Sequence, residues 1–593
     1  MTRCMPEVSC KPVGGSSFGL GGPRPGLRRG SLVAAWAVRT AAAMGTAAAI
    51  GAAAGGPAGG GRAAAFELTL RRLAPSEADP QAWLPVFRRE TWDPARTAVI
   101  VCDMWDLHHC HNAVAREKDM APRANRFVQA ARSAGALIIH APSDCMEAYA
   151  QHPARLRVAG VPRAARIPEG IAEWCRQIPA EEAGRYPIDQ SDGGEDDDPE
   201  VHRRWAADLT SLGRDAGRPW TKQTDLIDIE NEDAISDDGE EVWSLLEERG
   251  IDRVMVLGVH ANMCVLGRPF GLRQMARHGK QVVLVRDLTD TMYNPARWPY
   301  VNHHTGTDLI VEHIEKYVCP TIESSDLLGG APHRYFDDRR PRVVVLTAEY
   351  EYSTARTLPA FAARQLRPDL QVEFLLHDDP QRHELEGLRL LERADVLVLS
   401  VWRRTLPAAQ LACIRNFLAA GKAVVGIRTS SHAFTPREGQ ASHGGAVWTD
   451  FDREIFGARY KGHYGNRRER GEPATQVFVA GEDVAENPLL RGLARPQFET
   501  ASWLYKIEDA AAGNQVLLQG RVGADGRVEP VAWTAVTPAG GRSFYVSLGH
   551  PEDFELPEFQ VLLRNAIYWA AGEPPPGYLL PPQAPPTSDG RDG

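Results

Sequence analysis

Residues 253 to 279 read RVMVLGVHANMCVLGRPFGLRQMARHG, and this stretch decides the fold. Val254-Met255-Val256-Leu257-Gly258-Val259 is a continuous apolar run, the pattern of a strand buried on both faces of a parallel sheet. It breaks into a short turn, and from Cys264 to His278 the spacing becomes helical. Strand, turn and helix in that order make one unit of a layered α/β sheet. The turn also places the Cys264 thiol where the free N–H groups of a helix start converge, which predicts a lowered thiol pKa and a place for a developing oxyanion.

Working outward, the same alternation repeats. Thr97 to Cys102 is a strand ending on Asp103, Leu137 to Ile139 is a strand leading into His140 and Asp144, and Gln281 to Val285 is a third. Helical spacing separates them at Met120 to Ala134 and Gly239 to Arg249. Phe66 to Trp92 reads as an edge strand followed by an approach loop. Ligands of such sheets sit beyond the carboxyl ends of the strands, which is where Asp103, His140, Asp144 and Cys264 fall. Pro219-Trp220-Thr221-Lys222 adds a lone lysine after a long insert, 156–218. An acid, a cation and a thiol can together activate a nucleophile. Taken singly, each has a plainer explanation: a packed cysteine, an aspartate cap, a solvated lysine. Within the insert, Asp189 to Asp198 is rich in acids and glycines, which reads as a solvated acidic loop. An insert of this length near the active face also suits a lid.

Asp103, Lys222 and Gly258-Val259-His260-Ala261-Asn262-Met263-Cys264-Val265 together resemble the isochorismatase-like cysteine hydrolase family, over roughly 97 to 320. The resemblance implies the following mechanism. Asp103 takes the Cys264 proton, Lys222 favours the thiolate, and the sulfur attacks a carbonyl carbon. Backbone N–H groups around Val259, His260, Ala261 and Cys264 hold the oxyanion, and a cis peptide falls at Val259-His260 or His260-Ala261. The chain departs from the family after Asp103, where it reads Met104-Trp105-Asp106-Leu107-His108-His109. Trp105, Asp106, His108, His140 and Asp144 are accordingly the substrate-pocket candidates. Asp106 and His108 are also weak candidates for a divalent metal, but their closeness to Asp103 favours pocket roles, so no cofactor is required.

A Ser-, Gly-, Asp- and Arg-rich linker, 323–340, precedes a second α/β series. Its strands are Val343 to Leu346, Val372 to Leu376, Val396 to Leu399 and Ala423 to Ile427, with helical runs at Ser353 to Gln365 and Leu406 to Ala420. Gly421 to Phe434, Gly541 to Pro551 and Asn565 to Gly572 resemble the trehalose-utilisation (ThuA-like) family, which implies a class I glutamine amidotransferase-like fold over 341–573. Where an amidotransferase carries its cysteine, this chain reads Arg428-Thr429-Ser430-Ser431-His432, so no glutaminase activity is expected. His432, His463 and His550 either meet in a polar pocket for a sugar-like ligand or are three separate structural histidines.

At 593 residues the chain is too long for one core. A net charge of −10 argues against nucleic acid as a partner. Nine cysteines without a CxxC pair exclude a disulfide framework and the usual structural zinc site. Residues 1–65 read as an export signal, with Arg28-Arg29 before an alanine-rich run, or as a disordered leader. Export implies the periplasm or cell envelope; otherwise the chain is cytoplasmic. No membrane span is expected, and the tail 574–593 reads as disordered.

The expectation is two three-layer α/β/α domains, each with a mainly parallel sheet, at 66–322 and 341–573. The function that goes with it is cysteine-dependent hydrolysis of a small-molecule amide or related C–N bond through a thioester. The alternative is a carbohydrate-binding or sugar-metabolism protein whose ThuA-like domain carries the function and whose first domain is catalytically idle. Substrate and oligomeric state are not written in the sequence.

Overall fold

In the computed structural model the described residues are 65–576, except 78, 380 and 438–443. The leader and nearly all of the expected tail lie outside them.

Two sheets carry the described chain. The first is built from β1 (Phe66–Pro75), β2 (Trp83–Trp92), β3 (Thr97–Cys102), β4 (Leu137–Ala141), β5 (Ala234–Ile235), β6 (Arg253–Val259), β7 (Gln281–Asp290) and β8 (Thr321–Ile322). Their order is β2-β1-β8-β7-β6-β3-β4-β5. From β8 to β5 the neighbours are parallel, and β1 runs antiparallel to both β2 and β8. The unbroken apolar runs β3 and β6 take the centre, where both faces are covered by helices such as His111–Ser133 and His303–Tyr317. Phe66 to Trp92 differs from expectation. It is a full hairpin, paired from Phe66↔Trp92 to Pro75↔Trp83, so the presumed approach loop is the true edge strand.

The second sheet is built from β9 (Arg342–Ala348), β10 (Gln371–Leu376), β11 (Val396–Val401), β12 (Ala423–Ile427), β14 (Thr475–Val479), β15 (Gln497–Thr500), β17 (Gln515–Val522), β18 (Glu529–Val536) and β19 (Arg542–Val546). The order is β10-β9-β11-β12-β19-β18-β17-β14-β15. It is parallel from β10 to β19 and antiparallel beyond. β13 (Arg459–His463) and β16 (Tyr505–Glu508) form a separate small ribbon.

Buried ion pairs join the two sheets' domains. Arg71 of β1 meets Glu315 (3.4 Å) and, across the boundary, Glu373 of β10 (2.6 Å). Arg393 reaches back to Glu323 (2.6 Å) and Arg340 to Asp308 (2.9 Å). The stretch expected as a linker is itself packed against the first domain, with the Tyr335 hydroxyl donating to the Thr289 carbonyl (2.9 Å). Burial alone would raise the Glu373 carboxyl, but Arg286, Arg71 and Arg393 hold it well below the usual range. Removing one partner from such a seam leaves an uncompensated buried charge, which typically costs about 3–5 kcal/mol.

Candidate active site

β3 and β6 end together, and that brings the site into being. Gly258 has φ +113°, and a Cβ on it would lie 2.0 Å from the Cys102 carbonyl oxygen, so only glycine lets the two strand ends approach this closely. Beyond β3, Asp103 takes a left-handed backbone, φ +46°, which turns its side chain across the strand ends. Beyond β6, a cis peptide at Val259-His260 opens a π-helical turn, Ala261–Val265, that carries Cys264. The expected helix over 264–278 is interrupted: after this turn, Pro269 and Gly271 delay the α-helix to Leu272–Arg277.

Asp103 and Cys264 meet. The carboxylate lies beside the thiol and acts on its protonation, Oδ1 accepts from the Ser143 N–H (2.7 Å), and Oδ2 accepts from Arg268 Nε (3.2 Å). Asp103 is fully buried, and burial raises its carboxyl pKa against the pull of Arg268, Cys264 and Ser143. Cys264 was expected to have a lowered pKa. Instead burial pushes it well up, the Asp103 charge adds to that, and Arg268 opposes it. The resting sulfur is therefore a thiol, with the Asp103 carboxyl group and a guanidinium beside it. Burial works against the Arg268 charge, but Asp103 and Cys264 hold it firmly protonated.

Lys222 stands elsewhere. Its Nζ is bonded to both oxygens of Asp225 (2.7 Å each) at a solvated surface, and Arg268 occupies the cation's place beside Asp103. The sequence reading missed Arg268, although it lies four residues after Cys264. Its N–H donates to the Cys264 carbonyl (3.0 Å), the helical i, i+4 relation that puts two side chains on one face.

The expected pocket candidates also separate. His140 is locked between Gln223 (3.0 Å) and Asp233 (3.1 Å) with no exposure. Asp106 accepts from Arg214 (2.9 Å) and from the Thr221 N–H (3.0 Å), which fixes the loop before Lys222. Trp105 stacks on Trp220 (4.6 Å), and His108 packs edge-on against His260 (5.0 Å). His260 itself is buried, and burial lowers its pKa to about 4. Asp144 remains near the site through Arg268 (3.8 Å) and Arg218 (3.0 Å). Asp106 and His108 thus spend their polar atoms on the protein and do not converge as metal ligands. Among the described residues, Cys110, Glu195 and Asp197 bring ligand atoms within 4.8 Å of one another. Asp197 there already caps the helix His111–Ser133, accepting from the N–H of His111 (2.7 Å) and of Asn112 (2.8 Å).

The cavity over Cys264 has a volume of about 650 Å³, and most of its wall is the insert: Trp174, Tyr186, Gln190 and Gly193, with Asn262 and Arg268 from the catalytic side. Trp174 lies over Arg268 (5.4 Å) and against Gly267, where a Cβ would fall 2.4 Å from its ring. Glu181 of the insert is bidentate with Arg273 (2.7 and 2.9 Å) and bonded to His313 (2.8 Å), and despite burial these partners lower its pKa to about 2. Nor is the acidic loop simply solvated: Asp196 is buried and paired with Arg116 (2.9 Å) and His303 (3.2 Å).

In the second domain His432 stacks on Tyr460 (4.5 Å), His463 lies tilted against Trp503 (4.7 Å), and His550 lines an opening about 420 Å³ in volume together with Trp503. β12 ends in Arg428, at φ +42°, where the fold's nucleophile was not expected. Residues 342–570 match the family model described as ThuA, trehalose utilisation. Solved structures similar to the chain include a putative ThuA-like protein from Bacteroides uniformis, 15% identical, covering 41% of this chain and 95% of that one with a TM-score of 0.29. A cysteine hydrolase from Pseudomonas syringae is 16% identical over 40% of this chain and 92% of its own, TM-score 0.24. An isochorismatase family protein from Desulfovibrio vulgaris is 15% identical over 38% and 93%, TM-score 0.20. No curated protein matches the chain. Ahead of the ThuA-like domain, the cysteine-bearing domain holds Cys264 beside the buried strand-end carboxyl group of Asp103.

Proposed function

We propose that the first domain is a cysteine hydrolase acting on an amide or related C–N bond of a small molecule. One observation carries this reading: the Cys264 thiol and the Arg268 guanidinium line one cavity, with the Asp103 carboxylate buried directly behind them. As the sulfur attacks the carbonyl carbon, its proton passes to Asp103, so no free thiolate need accumulate at rest. Negative charge moves to the carbonyl oxygen. Backbone N–H groups of the His260–Cys264 turn and the Arg268 charge stabilise it in a site largely closed to water. Asp103 then protonates the departing nitrogen, the C–N bond breaks, and a thioester remains on Cys264. Water, deprotonated by Asp103, hydrolyses that thioester and regenerates the thiol. The groups described supply every proton transfer in this cycle, so no cofactor is invoked.

The insert gives the site its selectivity. Trp174 and Tyr186 supply apolar surface, and Gln190 and Asn262 supply amide groups, a mixed lining suited to a small polar molecule with one flat face. The test is turnover of an amide and ureide panel by wild type and Cys264→Ala. Turnover lost in the variant supports the reading. Turnover retained in the variant, or none in either protein, favours the idle-domain alternative.

A further inference from the structure

The ThuA-like domain carries a second site, independent of Cys264, built on Arg428. In its sheet Arg428 occupies the position that Asp103 occupies in the first, the residue just past the end of a central parallel strand, twisted to positive φ. Its side chain is 98% buried. Nη1 donates to the Ser547 carbonyl (2.8 Å) and Nη2 to the Tyr352 hydroxyl (3.3 Å), while the buried Nε has no partner. The rings of Tyr352 and Tyr505 lie 4.4 and 5.0 Å from the guanidinium carbon. Among the described residues no carboxylate pairs with it. Asp553, the acid that acts on it, is spent on the Ser502 hydroxyl (2.5 Å), on the N–H groups of Gly549 (2.9 Å) and His550 (3.0 Å), and on Thr500. A permanently charged guanidinium taken out of water without a counter-charge is costly, and its planar fork matches a carboxylate or phosphate.

Arg428 opens onto a cavity of about 420 Å³ whose walls include Tyr352, Asn466, Arg468, Trp503 and His550. Burial lowers the His550 pKa, leaving it neutral, and its Nδ1 accepts from the Glu552 N–H (3.3 Å), so Nε2 carries the proton and is a donor. Two acids also line the cavity. Glu552 is paired with Arg468 (3.1 Å) and Glu469 is exposed, so neither offsets Arg428 at the floor. Trp503, held against His463, offers a flat apolar face beside these donors.

We propose that this cavity binds a small organic anion, with a carboxylate or phosphate head on Arg428 and His550 and a ring-shaped, hydroxyl-bearing body against Trp503. The test is calorimetric titration of the full chain in phosphate-free buffer with glucuronate, glucose 6-phosphate, inorganic phosphate and glucose, with Trp503 fluorescence as a second readout. The expected result is binding of at least one anion, weakened by salt, with glucose at least tenfold weaker. Glucuronate alone points to a carboxylate ligand; glucose 6-phosphate or inorganic phosphate points to a phosphate ligand. Arg428→Gln should weaken binding at least tenfold, and Arg428→Lys should restore part of it. Should Arg428→Gln fail to fold, His550→Gln and Trp503→Ala must each weaken binding, the latter also removing the fluorescence change. Binding of none of the anions, glucose binding as tightly as they do, or folded variants that bind like wild type would overturn the proposal.

Discussion

Replacing Arg268 with Gln isolates the cation at the nucleophile. Arg268 Nε sits 3.2 Å from Asp103, and the guanidinium acts on the Cys264 sulfur as well. At an effective dielectric of about 20, a unit charge about 4 Å from a developing thiolate or oxyanion contributes about 4 kcal/mol. Losing one preorganised donor to an oxyanion commonly lowers kcat by about 10²–10³-fold. Removing the arginine has a second consequence. Asp103 keeps its burial but loses its opposing charge, so its pKa rises further and less of it is ionised to accept the thiol proton. The expected result is a fall of about 10²–10³-fold in kcat/KM, and a comparable fall in Cys264 alkylation by iodoacetamide at neutral pH, which needs no knowledge of the substrate. Lys222→Gln is the control. Its ion pair with Asp225 is solvated and such pairs contribute about 0–1 kcal/mol, so both rates should stay within about twofold of wild type. Equal damage from both substitutions, or wild-type alkylation in Arg268→Gln, would refute this assignment of the cation.

Asp103→Asn should lower kcat/KM by about 10²–10⁴-fold. In wild type the acid limb of kcat/KM against pH should fall above the ordinary carboxylate range, because burial raises this group; the variant should lack that limb. His303 is raised from 6.5 to about 9: burial opposes its charge, but Asp290 and Asp196 more than compensate. A base bound more tightly to its proton in the folded state stabilises most below its unfolded pKa. Melting temperature should therefore decline as pH rises from about 6.5 through about 9, and His303→Gln should flatten that decline. Asp196→Asn leaves Arg116 short of a partner and frees the insert, so it should cost about 3–5 kcal/mol and speed proteolysis within 156–218.

The central strands and the two residues that end them were legible because an unbroken apolar run has few places to go but the middle of a parallel sheet. Asp103 and Cys264 could be paired from sequence for the same reason: adjacent strands of one sheet end at one edge. Arg268 was equally legible in principle, through its i, i+4 spacing from Cys264, but Lys222 had the more familiar place in the order of motifs. Lys222 was lost to Asp225, three residues on, a local competitor that a motif does not weigh. The insert could not be read because its bonds are long-range. Asp196 and Asp197 look solvated in a run of acids, yet the helix start at His111 and the buried Arg116 and His303 claim them. Trp105, Asp106, His108 and His140 follow strand ends as site residues do, but hydrogen bonds and stacking commit them to holding the loops around the site. In the second domain the histidines stand out in the sequence, whereas the buried arginine at the strand end, whose Nε has no partner, carries no motif that marks it.

The most direct measurement of the central claim is the mass of the protein quenched in acid during turnover of an activated ester such as p-nitrophenyl acetate, with the acyl group mapped by peptide. The account predicts one acetyl group on Cys264 in wild type and none there in Asp103→Asn at the same time point. Acetyl groups scattered over lysines or other cysteines, with Cys264 unmodified, would contradict it.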